Sequence, residues 1–288
     1  SDTTGHPSCV SFFEQRLVFA GTTDEPQTLF FSKAGDYENM TTGTNADDAM
    51  VYTIASNQVN AIRYMKAVRT LVVGTTGGEF TVSADGTDAS ITPTNITIKR
   101  QSSFGSANVD AIPAGNAILF LQKAKRKIRE LQYNFDSDGY QAADLTILNE
   151  TVTDTGINEM SYQQEPGSNI WCVRDDGVLA CLTYQRSENV IAWSRHIFGG
   201  AFGSGRAVCE SVASISGVLT EDEVWVIVKR TINGATKRFV ECFSDFDFDE
   251  TSATSFKFLD SHLSYSGSGT TTLSGLAHLE GQTVSVLG

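Results

Sequence analysis

Short apolar runs recur along this chain at a nearly constant spacing. The five strongest begin at Arg16, Leu71, Ala117, Asn169 and Glu223, so successive starts are 55, 46, 52 and 54 residues apart. Their richness in Val, Ile, Leu and aromatic residues, and their shortness, are typical of β-strands. A regular period of about fifty residues predicts a repeat architecture, here with five units.

Each unit offers four strand-like runs. A shorter run precedes the strong one, at 9–15, 61–67, 110–116, 159–165 and 211–217. A third follows it, at 27–32, 78–82, 127–131, 178–184 and 237–243. A fourth is available at 49–55, 95–100, 144–149, 190–195 and 256–261. The turn Asp175-Asp176-Gly177 before one of the third runs is a clear hairpin signal.

Four antiparallel strands repeated with this period predict an all-β fold, a β-propeller of about five four-stranded blades over residues 1–262. A solenoid is the main structural competitor, but solenoid repeats are usually shorter and more alike. A Ser, Gly and Thr-rich stretch at 264–274 then leads to a strand-like run at 283–286. We therefore interpret 263–288 as a linker and the start of a further β domain. Because the chain begins at Ser1 without an initiator Met, we expect it to be a fragment of a longer polypeptide.

Composition narrows the classes of function. Lys and Arg number 21 against 34 Asp and Glu, a net charge of −13, which disfavours general attraction to nucleic acid or anionic lipid. Apolar runs reach only five residues, too few for a membrane-spanning helix, so we expect no membrane association. The five cysteines are odd in number and form no CxxC pair, which predicts small hydrophobes in a reduced compartment rather than disulfides or a zinc site.

Carboxylates adjoin the first run of four units. Enzymes built on propellers place catalytic acids on the innermost strands, and a pair of such acids could serve a glycosidase. The candidates here are Glu14, Asp110, Glu159 and Glu210. Strand ends often carry an acid in any acidic protein, so we interpret these four as structural carboxylates and predict no catalytic residue.

An oxygen-rich segment lies between the third and fourth runs of unit three. Asp136-Ser137-Asp138-Gly139, followed by Asp144, resembles a calcium loop in composition, but the full ligand pattern is missing. A plain Asx/Gly turn is the favoured interpretation. The alternation of Asp245, Asp247 and Asp249 with two phenylalanines predicts a half-buried strand edge.

No other motif indicates chemistry. The four histidines are scattered without metal-ligand spacing, and we expect His196 to pack at a strand end. The chain has no glycine-rich phosphate loop, nucleophile elbow or Cys/His pair. We therefore predict a non-enzymatic protein without cofactor or metal.

One basic cluster stands out against the net negative charge. Five cations occur within seven residues on the predicted hairpin of unit three: Lys123, Lys125, Arg126, Lys127 and Arg129. A solvated hairpin tip is the simplest interpretation. The functional alternative is a docking patch for an acidic neighbouring subunit, or a local phosphate contact.

Read together, the segments resemble a viral family. The opening Pro7 to Gly21, then Gln27 to Lys33 and Tyr37, is similar to the central region of tail nozzle proteins of tailed bacteriophages, the tail tubular protein B type. Further segments follow in the family's order. They are Asp47-Asp48, 52–56, 60–62, 71–75, Gly78-Glu79, Gln101-Ser102, Gly105, 118–120, Arg129-Glu130, Tyr133, Tyr140, 144–146, Pro166, Trp171, Asp176-Gly177, Thr183-Tyr184, Trp193 and His196. The likeness spans about residues 7 to 286, and 16–21 and 144–146 are its most specific parts.

The resemblance implies a structural virion protein of a short-tailed phage. Such proteins assemble as a ring, typically of six copies, next to the portal and adaptor proteins. They form a conduit through which the genome is ejected, so viral DNA passes transiently. The implied location is the virion tail, after assembly in the host cytoplasm. The resemblance implies no catalytic residue.

An acidic wall agrees with a conduit, because few phosphate contacts mean weak DNA binding and easy sliding. The alternative that the residues leave open is a carbohydrate-binding or glycoside-hydrolysing propeller associated with recognition of the host surface. A glycan site would bring acids and exposed aromatics together, and it would depend on Glu14 or Asp110.

Overall fold

The computed structural model describes residues 5–55, 59–86, 89–217, 221–244, 265–284 and 286. The chain divides into two compact units, Ser1–Gly156 and Ile157–Gly288. The elements of each unit are antiparallel strands that follow one another in chain order within each sheet.

The first unit contains three four-stranded sheets, which we call blades one to three. Their strands pair in chain order, so each blade is a meander. Blade one consists of β1 (Cys9–Phe13), β2 (Arg16–Ala20), β3 (Thr28–Phe31) and β4 (Met50–Thr53). Blade two consists of β5 (Ile62–Ala67), β6 (Leu71–Thr75), β7 (Gly78–Ser83) and β8 (Thr97–Ser102). Blade three consists of β9 (Ile112–Ala114), β10 (Ala117–Leu121), β11 (Ile128–Asn134) and β12 (Gly139–Asp144).

The second unit contains blades four and five and a small hairpin. Blade four consists of β13 (Ile157–Gln163), β14 (Asn169–Arg174), β15 (Leu179–Gln185) and β16 (Val190–His196). The hairpin pairs β17 (Ala201–Phe202) with β18 (Gly205–Arg206). Blade five has three strands in the described residues, β19 (Val208–Ile215), β20 (Glu223–Ile232) and β21 (Ala235–Cys242). Short 3-10 turns occur at Glu150–Val152, Arg186–Glu188 and Ala277–Leu279.

Buried aliphatic strands explain why neighbouring blades pack face to face. In blades one and two, Val18, Leu29, Leu71 and Val73 belong to one core cluster. A second cluster joins blades two and three through Tyr64, Val72, Ile118, Phe120 and Leu131. A third joins blades four and five around Trp171 and Val228. Removing these apolar surfaces from water is the main force that stacks the sheets.

Backbone hydrogen bonds repeat at equivalent places between consecutive blades. In the first unit, the amide of Ile62 donates to Pro26 O at 2.9 Å, and the amide of Ser106 donates to Thr75 O at 2.8 Å. In the second unit, the amide of Cys209 donates to Gly177 O at 2.9 Å. In each case the first strand of a blade, or the segment leading into it, bonds to the end of the second strand of the preceding blade or to the connection after it. The units therefore repeat in backbone structure although their sequences differ.

These sheets confirm the all-β prediction and the four-stranded, propeller-type blade as its repeating element. The second strands begin at the predicted residues 16, 71, 117, 169 and 223. The predicted fourth strand of blade five, 256–261, and the predicted edge at Asp245, Asp247 and Asp249 lie outside the described residues. His196 ends β16 and packs edge-on against Trp171, with ring centroids 5.0 Å apart, as expected.

One predicted strand is wrong. The fourth strand of blade three is Gly139–Asp144, not 144–149. Asp144 ends it because its carboxylate accepts from the amide of Thr146 at 2.9 Å and from the Thr146 hydroxyl at 2.6 Å, which turns the chain. Ile147 and Leu148, which favoured a strand in the sequence, are 65% and 89% exposed.

Cysteine burial follows the prediction in part. Cys172, Cys181 and Cys209 are buried, whereas Cys242, expected to be a small core hydrophobe, is exposed at the end of β21. Burial raises the pKa of Cys181 and of Cys209 to about 12, so both remain thiols at neutral pH. None of these five cysteines forms a disulfide.

The described part of the tail, residues 265–284 and 286, contains the 3-10 turn at Ala277–Leu279 and no strand. It contacts blade five: the Gln282 side-chain amide donates to Thr231 O at 3.2 Å, and the His278 ring packs against Phe239. A further domain beginning near residue 263 stays a prediction.

Candidate subunit-docking site

The basic cluster lies on the loop that joins β10 to β11, as expected. The Gln122 amide donates to Lys127 O at 2.8 Å, and the Lys125 amide donates to Gln122 O at 2.7 Å. Lys125 adopts a left-handed backbone, with φ of 62°. These bonds close a tight loop that holds its side chains on a defined backbone.

Lys127 is committed to contacts inside the unit. Its ammonium group lies 2.8 Å from the Asp144 carboxylate and 3.4 Å from the Glu150 carboxylate. The hydrogen bond to Asp144 is the main cause that raises the pKa of Lys127. Burial acts to raise the pKa of Asp144, but hydrogen bonds from Lys127 and Thr146 hold it below its usual value. Lys127 therefore fastens the loop to the end of β12.

Arg129 is likewise used internally. Its Nε donates to Gln122 Oε1 and its Nη1 to Ala142 O, both at 2.8 Å. The guanidinium carbon lies 3.4 Å from the centre of the Phe104 ring, a cation–π contact. Burial lowers the pKa of Arg129. These contacts of Arg129 stabilise blade three.

The other cations of the predicted patch are Lys123, Lys125 and Arg126, which we call the basic loop. Lys123 and Arg126 are exposed, and Lys125 is half-buried. The Thr153 hydroxyl donates to Arg126 O at 2.6 Å, which anchors the loop to the following segment. A shallow depression of about 290 Å³ lies beside it, lined by Arg126, Lys127, Glu150, Thr151 and Asp154. The surface thus presents cations next to acids, a mixed-charge pattern suited to a specific polar contact.

Each candidate acid of the sequence has a donor close by in its own unit. Glu14 occupies the β1–β2 turn and accepts from the Ile91 amide at 2.7 Å. Asp110 pairs with Lys66 at 2.6 Å, and Glu159 accepts from the Ser211 hydroxyl at 3.0 Å. Glu210 bridges Lys229 at 2.7 Å and Arg238 at 2.6 Å. Contacts of this kind suit structural carboxylates.

The Asp136-Ser137-Asp138-Gly139 segment forms the turn between β11 and β12, which confirms the turn interpretation. Asp138 accepts from the Tyr133 hydroxyl at 2.5 Å, and the Ser137 amide donates to Asn134 Oδ1 at 3.1 Å. Asp144 lies at the opposite end of β12, so the structure does not bring the acids together. Among the described residues, no three His, Cys, Asp or Glu side chains are grouped as metal ligands would be.

A buried acid was missed by sequence reasoning. Glu79 on β7 is fully buried and accepts hydrogen bonds from the hydroxyls of Ser102 and Ser106, the latter at 2.8 Å. The Tyr64 hydroxyl is also buried nearby and has no hydrogen-bond partner among the described atoms. Burial raises the pKa of Glu79, opposed by the two serine hydrogen bonds. Alternation along β7 gives no sequence signal, because almost every position of this strand is buried.

We expect Glu79 to make stability depend on pH. Its folded pKa lies above its unfolded value of about 4.5, so ionisation costs more in the folded state. Below the unfolded pKa both states are protonated and the cost vanishes. As pH rises from 4.5 towards the folded pKa, the free energy of unfolding should therefore fall by this group's contribution.

Urea unfolding of Glu79→Gln between pH 4.5 and 7.5 measures this contribution, because Gln cannot ionise. The exposed Glu38→Gln serves as the control. The expected result is a flatter pH profile for Glu79→Gln and an unchanged one for Glu38→Gln. Equal profiles for wild type and Glu79→Gln would contradict the assignment.

Comparison with known proteins does not give this chain a family. No family model matches the sequence, and no curated protein matches it. A solved luciferin-regenerating enzyme is similar in structure at a TM-score of 0.29 and 11% identity, over 78% of this chain and 83% of that one. A likeness at that level carries no argument about function. In the described residues, no helix is long and apolar enough to cross a membrane.

Proposed function

We propose that this chain is part of a structural virion protein of a short-tailed bacteriophage, in the tail nozzle through which the genome is ejected. The observation that carries the proposal is the ordered series of sequence segments that resemble segments of that family. The proposed partners are further copies of the chain in a ring, six in the family pattern, and the adaptor and portal-proximal proteins. No catalytic residue or cofactor belongs to this proposal.

The most specific of those segments have structural roles that explain their residue types. Arg16 begins β2, is 2% exposed, and binds the loop between β3 and β4 through its guanidinium. Asp144 and Thr146 end β12 and hold the basic loop through Lys127. These residues stabilise the scaffold on which a subunit contact would be displayed.

The basic loop supports the proposed ring contact. A closed ring joins one surface patch of each copy to a different patch of the next. With a net charge of −13, the chain offers acidic surface that could face Lys123, Lys125 and Arg126 of a neighbour. Charge complementarity of this kind fixes register and raises the rate of association.

Charge reversal tests the contact. In the full-length reading frame, Lys123→Glu, Lys125→Glu and Arg126→Glu together should weaken ring formation at least about tenfold, or about 1.4 kcal/mol per contact. The dependence of ring formation on salt concentration should change as well. In the variant the reversed charges repel the acidic surface of the neighbour, so salt screens a repulsion where it screened an attraction in the wild type. Lys127 stays unchanged because its loss would also break the internal pair with Asp144.

The matched control reverses three exposed cations elsewhere, Lys99, Arg195 and Lys237, and should assemble as the wild type does. Sedimentation velocity across a salt series measures both variants. If the basic-loop variant assembles as well as its control, the docking role of this loop is refuted, while the nozzle proposal is tested separately by the presence of rings.

A further inference from the structure

A groove of about 530 Å³ opens in the first unit, where two hairpin turns meet a pair of strands. These are the β5–β6 turn, the β9–β10 turn and the paired strands β11 and β12. The volume lies within the range of small-ligand sites. The residues that matter for its chemistry are Arg69, Asn116, Ile118, Leu131, Tyr133 and Tyr140.

Two tyrosines form a fixed aromatic wall. Tyr133 and Tyr140 are directly opposite on β11 and β12, and their rings meet edge-on with centroids 5.6 Å apart. The Tyr133 hydroxyl donates to Asp138 at 2.5 Å, and the Tyr140 hydroxyl lies 3.2 Å from the Thr70 hydroxyl. Because both rings are held in place, little side-chain entropy would be lost on binding.

The floor and the rim differ in polarity. Ile118 and Leu131 are each only 1% exposed and give the groove an apolar floor. Asn116, exposed beside Gly115 in the β9–β10 turn, brings an amide to the rim. An apolar wall and floor with a polar rim match a sugar ring, whose C–H face is apolar and whose edge carries hydroxyl groups.

The charge of the lining residues indicates which kind of sugar the groove would bind. Arg69, at the β5–β6 turn, is exposed and is the only charged residue among the described residues that line the groove. The Asp138 carboxylate is not among the lining residues and accepts the hydrogen bond of the Tyr133 hydroxyl, which leaves Arg69 as the charged group on the lining. A guanidinium binds a carboxylate through two parallel hydrogen bonds.

We propose that this groove binds a sugar ring that carries a carboxylate, such as a uronic or sialic acid. This goes beyond the nozzle proposal, because it gives the protein a contact with acidic surface glycans. A nucleotide could also stack on tyrosine, but a single cation within an acidic protein disfavours a phosphodiester chain.

Titration of the full-length protein with glucuronic acid and N-acetylneuraminic acid, followed by saturation-transfer NMR, tests the proposal. Glucose and N-acetylglucosamine are the neutral probes, and adenosine monophosphate is the nucleotide probe. The acidic sugars should bind at least about tenfold more tightly than the neutral ones. Arg69→Gln should remove that preference. Tyr133→Ala should weaken the binding of acidic and neutral sugars alike, also by about tenfold.

Arg195→Gln, which removes an exposed arginine outside both the groove and the basic loop, is the matched control and should bind like wild type. Tyr133→Phe keeps the ring and should retain most binding, and thermal unfolding checks that each variant is folded. The proposal is overturned if no acidic sugar binds, if folded Arg69→Gln keeps the preference, or if adenosine monophosphate binds more tightly than the acidic sugars.

Discussion

Replacing Arg16 by Met is expected to lower the free energy of unfolding by about 3–5 kcal/mol, a large share of the 5–15 kcal/mol typical of a domain. The guanidinium is buried and donates to Ser32 O and Asp48 O at 2.8 Å and to Ala46 O at 2.7 Å. Methionine fills similar space but leaves these carbonyl oxygens without their donor. Each buried acceptor that loses its partner costs about 1–3 kcal/mol.

The matched control is Arg100→Met. Arg100 also donates to two backbone carbonyls, Ser102 O at 3.1 Å and Gly77 O at 2.7 Å, but it is exposed, so water can replace it. We expect Arg100→Met to lower the free energy of unfolding by less than about 1 kcal/mol. Urea unfolding compares the two. Similar losses for both variants would show that the burial of Arg16 is not what makes it important.

Replacing Gly105 by Ala is expected to cost about 2–4 kcal/mol, the second large effect. Gly105 has φ of 74°, where a side chain is strained by about 1–2 kcal/mol. A Cβ there would also lie 2.4 Å from the backbone oxygen of Thr76, which belongs to the turn of blade two. Backbone cannot yield as a side-chain tip can, so this overlap adds about 1–3 kcal/mol.

Gly115→Ala separates the two causes. Gly115 has φ of 59°, but a Cβ there meets nothing within 4 Å. We expect Gly115→Ala to lower the free energy of unfolding only by the conformational part, about 1 kcal/mol. Thermal unfolding of both variants gives the difference. If Gly115→Ala is as harmful as Gly105→Ala, close packing between blades two and three is not the reason for glycine at 105.

Strand positions could be predicted because the second strands of blades two, three and four are buried on both faces. Continuous apolar runs such as Ala117–Leu121 stand out from their polar surroundings. β12 could not be found in this way, since its sequence Gly139–Asp144 is mostly small or polar and none of its residues is fully buried. The more apolar neighbours Ile147 and Leu148 are instead exposed, and so the prediction moved to the wrong segment.

The sequence contains a stronger turn signal than Asp175-Asp176-Gly177. Asn233 and Gly234, with φ of 50° and 73°, form the two-residue turn between β20 and β21, the dipeptide most typical of tight hairpins. Asn-Gly there shows that β20 continues to Ile232 and that β21 begins at Ala235, two residues before the predicted run 237–243. Local turn chemistry therefore carried information that the hydrophobic period did not.

The candidate site was predicted only as a charge cluster. Sequence spacing places five cations on one loop, but it cannot show that Lys127 pairs with Asp144 or that Arg129 stacks on Phe104. Both partners come from other segments of the chain, and such contacts depend on the tertiary structure. The groove at Arg69 was missed for the same reason, since three hairpins contribute to it.

Imaging of the full-length reading frame by negative-stain electron microscopy, with a solution mass from light scattering, tests the nozzle proposal most directly. We expect rings or short tubes of a fixed copy number, with a mass equal to that number times the mass of the chain. A monomer at all concentrations, which also fails to join purified portal and adaptor rings, would contradict it.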